Sequence, residues 1–101
     1  MSDDTTHRRE QVLRTFFDPE GRLTTIPAKH AKRLVVLDAL AQRFEPGERY
    51  PETEVNNRLR DAHDDVAALR RYLVDEGFLS REDGVYWRTG GTVEDPSDDP
   101  A

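Results

Sequence analysis

Apolar residues along this chain keep a helical period through most of its length, then switch to alternation near residue 80. Val12, Leu13, Phe16 and Phe17 recur at i, i+1, i+4 and i+5, which predicts a short helix over His7 to Phe17 with one apolar stripe. Arg8, Arg9 and Arg14 are left to face water. Asp18-Pro19-Glu20-Gly21 ends that helix, because Asp, Pro and Gly stand where a type I turn prefers them. Arg22 to Pro27 reads as extended, either a short edge strand or a strap across the core. Ala28 to Phe44 reads as the longest helix. Ala31, Leu34, Leu37, Ala41 and Phe44 are its expected buried face, widened by Val35 and Leu40.

Glu45-Pro46-Gly47 breaks that helix, and Arg49-Tyr50 is extended ahead of Pro51. The stretch from Glu52 to Arg88 then carries the clearest pattern. Val55, Leu59 and Ala62 make one helical stripe. His63 and Asp64 turn the chain, with Asp64 or Asp65 as the next N-cap. Val66, Leu69 and Leu73 make a second stripe, and Gly77 is a natural residue to leave that helix in the left-handed conformation. Phe78 and Leu79 return to the core. Leu79–Glu82 and Val85–Arg88 pair across Asp83-Gly84, a strong hairpin signal. Alternation puts Tyr86 on one face and Val85 and Trp87 on the other, with Trp87 expected to cover the core. The predicted class is mainly α with a small β component: a winged helix-turn-helix with a trihelical core, a C-terminal hairpin wing and an extra N-terminal helix. Residues 1–6 are expected as a flexible N-terminus, 7–88 as the winged-helix-like domain and 89–101 as a disordered acidic tail.

Composition narrows the function classes. The hydrophobic fraction is 35% and 36% of the 101 residues are charged, so the core is small and the domain marginal. The net charge is −6, but Asp18 to Arg88 holds 14 acidic and 12 basic residues, and much of the excess sits at Glu94, Asp95, Asp98 and Asp99. That balance argues against strong non-specific binding to nucleic acid and against an anionic membrane surface. There is no cysteine, which excludes disulfides and thiolate metal sites. No apolar run approaches the roughly 20 residues of a membrane span, and the N-terminus lacks the apolar stretch of a signal peptide. The expected setting is cytoplasmic.

The ordered set Ile26-Pro27-Ala28-Lys29, Lys32-Arg33, Tyr50, Glu54-Val55-Asn56, Leu69-Arg70-Arg71-Tyr72-Leu73-Val74-Asp75, Gly77, Leu79, Arg81 and Tyr86-Trp87-Arg88 resembles a bacterial domain-of-unknown-function family. Members of that family stand alone or follow ArsR-type helix-turn-helix regulators. The resemblance implies a winged-helix-like domain linked to transcription. It implies no catalytic residues.

Two partner classes follow: duplex DNA, or another protein, whether another regulator or a second copy of the chain. In a helix-turn-helix the second helix enters the major groove. On that helix Arg71 stands opposite the apolar stripe. Lys29, Lys32, Arg33, Arg58, Arg71, Arg81 and Arg88 are the candidate nucleic-acid contacts. Asp64 and Asp65 at the start of the helix, and Glu82 and Asp83 at the wing tip, oppose phosphates. The rival is docking or dimerisation, for which Phe16 and Phe17 could face a partner instead of completing the core. An apolar patch beside Phe16 or Tyr72 would favour a protein. A continuous basic face joining Lys29, Lys32, Arg33 and Arg71 would favour DNA. No enzyme chemistry, cofactor or metal is expected: His7, His30 and His63 form no ligand pair, and the serines and glycines lie outside nucleophile and phosphate-loop patterns.

Overall fold

Residues 2–92 are described by the computed structural model, with side chains from His7 onward. In order they form α1 (Ser2–Phe16), α2 (His30–Ala41), β1 (Arg49–Pro51), α3 (Glu52–Arg60), α4 (Val66–Asp75), β2 (Leu79–Glu82) and β3 (Val85–Arg88). The protein is mainly α with a small three-stranded antiparallel sheet, ordered β1-β3-β2, compatible with a winged helix. The acidic residues 93–101 lie outside the described span. α1 begins at Ser2, five residues before the expected start at His7.

The turn after α1 forms as its residue types dictate. Asp18 accepts the Gly21 N–H at its carbonyl and those of Glu20 and Arg22 at Oδ1, each at 2.9 Å. Arg22 to Pro27 is a strap, not an edge strand. It makes a single bridge, Phe17 to Leu23, and the Leu23 N–H reaches across to the Ala62 carbonyl at 2.7 Å. α2 is shorter than the predicted 28–44. At its end the N–H groups of Arg43 and Phe44 bond the carbonyls three residues back, at 3.0 Å each, which tightens the chain and turns Phe44 into the core. Its buried face is Val36, Leu37, Leu40, Ala41 and Phe44. Ala31, expected inside, is exposed, and Leu34 and Val35 are half-buried. α2 packs against both α1 and α4, so its inward stripe is rotated from the expected one.

α3 and α4 form the helix-turn-helix. Val55, Leu59, Leu69 and Leu73 are fully buried between them and α2. Asp65 is the N-cap of α4 and accepts the Ala68 N–H at 3.1 Å. At the other end Gly77 has φ +82°, the Phe78 N–H bonds the Leu73 carbonyl and the Gly77 N–H bonds that of Val74, at 2.8 and 3.1 Å. This pair of bonds is a Schellman motif, and it aims Phe78 and Leu79 back at the core.

The wing pairs Leu79 to Arg88 through Glu82 to Val85, and positive φ at Asp83 and Gly84 gives a type I′ turn. β1 adds to the far side of β3 with Tyr50 opposite Tyr86 and Arg49 opposite Trp87. Directly opposed residues share a face. The inward face is therefore that of Tyr50 and Tyr86, and the expectation that Trp87 covers the core is corrected. Tyr86 is 0% exposed. Trp87 is half-buried on the outer face, with the Arg49 guanidinium 4.6 Å from its ring centroid. Tyr86 can be buried because its hydroxyl is satisfied, donating to Glu52 Oε1 at 2.9 Å and accepting from Arg81 at 3.4 Å. Tyr86→Ala should cost about 3–5 kcal/mol by urea unfolding, and Trp87→Ala about 1 kcal/mol or less. A larger loss for Trp87→Ala would reverse the assigned faces.

Candidate functional site

Three of the seven predicted nucleic-acid contacts serve the fold. Arg33 donates to the carbonyls of Pro27 and Ala28 and lies 4.7 Å from the Tyr72 ring centroid. Arg58 donates to Glu54 Oε2 at 2.8 Å and to the Arg43 carbonyl at 2.9 Å, with its guanidinium 4.8 Å from the Tyr50 centroid. Arg88 donates to the carbonyls of Phe44, Gly90 and Thr92. Each donates to backbone carbonyls outside regular helix or strand pairing.

The other four fall in three places. Arg71 is exposed on α4 and makes no hydrogen bond or ion pair among the described residues. It shares a cleft of about 300 Å³ with Arg70, Arg81 and Asp75, between α4 and the wing. Arg70 is anchored there on Asn56, and Arg81 on the Tyr86 hydroxyl. That hydroxyl also raises the pKa of Arg81 above its ordinary value. Lys29 is exposed at the N-cap of α2. Lys32 lines a different concavity from Arg71. All four acids that oppose phosphate are exposed: Asp64, which pairs with Arg22 at 3.2 Å, Asp65, which caps α4, and Glu82 and Asp83 at the wing tip.

The larger concavity is an open groove of about 1030 Å³ between α1 and α2. Its floor is apolar: Val12 and Phe16 from α1, Ala31 and Val35 from α2. Its rim is basic: Arg8, Arg9, Arg14 and Lys32. Phe16 and Phe17 are half-buried against the core, yet Phe16 also shows a face to this groove. The displaced stripe of α2 explains the floor, since Ala31 and Val35 lie on the side of α2 that α1 covers only in part.

Asp38 holds this arrangement together. It lies one turn beyond Val35 on the same stripe of α2 and is only 6% exposed. Arg9 of α1 reaches its Oδ2 at 2.7 Å, which corrects the expectation that Arg9 faces water. The Thr92 N–H donates to Oδ1 at 2.6 Å and the Thr92 hydroxyl to Oδ2 at 2.9 Å. Gly91 makes this approach possible: it sits at φ +92°, and a Cβ there would lie 2.9 Å from Asp38 Oδ1. One carboxylate thus joins α2, α1 and the chain leaving the wing. Sequence reasoning missed it. The available signal was a lone acid inside the apolar run Val35-Val36-Leu37-Asp38-Ala39-Leu40.

Burial pushes the Asp38 carboxyl up, but the Thr92 N–H and hydroxyl and the Arg9 guanidinium outweigh it, and its pKa lies below the ordinary 3.8. A lowered folded-state pKa stabilises the fold above pH 3.8, and that contribution is lost as pH falls through the folded-state value. Asp38→Asn should therefore cost about 1–3 kcal/mol at neutral pH. Its stability difference from the unsubstituted chain should shrink on acidification below about pH 4, measured by urea unfolding at each pH. A pH-independent difference would show that the charge of Asp38 is not what matters.

Among the described residues no helix is long and apolar enough to cross a membrane, and no cluster of three or more His, Asp or Glu side chains could hold a metal ion. No curated protein and no solved structure matches the chain. A family model described as uncharacterized protein conserved in bacteria (DUF2087) matches residues 22–88. The matched span runs from the strap through β3, so it holds α2, the helix-turn-helix and the wing, and leaves α1 outside. With two thirds of its length under that model, the chain belongs to this bacterial family.

Proposed function

We propose that this domain is a non-enzymatic docking module that binds an acidic protein segment with an apolar anchor in the α1–α2 groove. The resemblance to domains that follow ArsR-type regulators supplies a transcriptional setting and makes another regulator the natural source of that segment. One observation carries the reading: an apolar floor of Val12, Phe16, Ala31 and Val35 is framed by Arg8, Arg14 and Lys32. Such a surface gains from apolar burial and selects for negative charge. Three of the candidate DNA contacts, Arg33, Arg58 and Arg88, already donate to backbone carbonyls, which weighs against a DNA backbone as the ligand.

Weak duplex DNA binding is the second reading. Arg71 favours it, being exposed and, among the described residues, without a partner beside Arg70 and Arg81. It would be partner-assisted, since the wing tip is acidic.

One titration separates the two. A synthetic peptide alternating Glu with Leu and Phe should bind the chain, with an affinity reduced about tenfold by combined Arg8→Glu, Arg14→Glu and Lys32→Glu. Arg71→Ala should leave it unchanged. Anisotropy with labelled duplex DNA at low salt should stay flat. Tight DNA binding lost on Arg71→Ala, with no peptide binding, would replace the docking reading by the second one.

A further inference from the structure

We propose that the acidic residues 93–101 of the chain occupy the α1–α2 groove as a built-in competitor for the outside segment. The inference rests on the docking reading and adds its regulation. Three observations lead to it. The first is where the described chain stops. Thr92 is clamped on Asp38, and Asp38 is ion-paired at 2.7 Å with Arg9, which lines the groove. The clamp is reinforced from behind, since Gln42 and Arg88 both donate to the Thr92 carbonyl. The described chain thus ends at Thr92, on the same carboxylate that Arg9 of the groove wall reaches.

The second is reach. Asp38, Val35 and Ala31 follow one another along one stripe of α2, seven residues or about 10 Å of helix. Nine residues span up to about 30 Å when extended, so the segment can run the length of the groove. The third is charge. Glu94, Asp95, Asp98 and Asp99 give this segment four negative charges and no positive one. Arg8, Arg14 and Lys32 stand exposed along the groove, while Arg9 is already committed to Asp38. Val93 is the single branched apolar residue of the segment, so it would cover the floor poorly. Weak occupancy of that kind suits a competitor: tethering supplies a high local concentration, and a segment with better apolar anchors displaces it.

The test uses the full chain and a version carrying Glu94→Gln, Asp95→Asn, Asp98→Asn and Asp99→Asn. Backbone amide resonances are compared first. Those of Arg8, Val12, Phe16, Lys32 and Val35 should move, while those of Arg71 and Asp83 should not. Affinity for the Glu/Leu/Phe peptide is compared second, and should be about three- to tenfold tighter for the neutralised chain. Equal peptide affinity with unmoved groove amides overturns the competitor and leaves the docking groove standing. Moved groove amides without peptide binding in either chain support the competitor and overturn the outside partner. Shifts confined to the Arg71 cleft overturn the proposed placement.

Discussion

A helix ends in carbonyls that its own backbone cannot partner, and a loop that leaves it must find donors elsewhere. In this domain arginine supplies them. Arg58 and Arg88 donate to the carbonyls of Arg43 and Phe44 beyond α2, and Arg22 to those of Arg60 and Asp61 beyond α3. Arg43 donates to Gly21 in the turn after α1, and Arg33 to Pro27 and Ala28 before α2. A chain only 35% hydrophobic cannot bury its loop ends under apolar cover. It spans them with long side chains whose stems pack and whose guanidinium groups donate. Several of the same side chains lie over aromatic rings, Arg33 on Tyr72 and Arg58 on Tyr50.

This use of arginine shapes what the surface can do. A basic residue that closes a loop has fewer free N–H groups and less freedom to meet a phosphate backbone. The positive charge left over is divided. Arg70, Arg71 and Arg81 share the cleft between α4 and the wing with Asp75, which offsets one of their three charges. Arg8, Arg14 and Lys32 gather around an apolar floor. Fold and function are separable for this reason: the architecture belongs to many DNA readers, but the chemistry of a site decides its ligand.

The groove in turn depends on Asp38. α1 lies outside the span shared with the bacterial family, and beyond its apolar contacts through Val12, Phe16 and Phe17 it is tied to α2 by the Arg9 ion pair. A half-exposed arginine on a nearly buried carboxylate is worth more than a surface pair, because the acid has already lost its water and needs its partners. The same carboxylate fixes the chain that leaves the wing. The α1–α2 pairing and the chain exit are thus held by one group.

Most elements of this fold are legible in the residues. Apolar spacing located the helices, Asp65 and Gly77 bounded α4, and Asp83-Gly84 placed the wing turn, because caps and tight turns are local and depend on few residues. Three things were decided only by tertiary packing. Alternation separates Tyr86 from Trp87 but cannot say which face meets the helices, and the β1 register settled that. Period alone could not give the rotation of α2, which depends on α1 and α4 pressing from two sides. The partners of arginines cannot be read from spacing either, since a guanidinium on a long flexible stem reaches carbonyls many residues away. The chain by itself determined a small mixed-charge domain with a helix-turn-helix and a hairpin. Its folding decided which charges are spent on the chain's own carbonyls and which stay exposed.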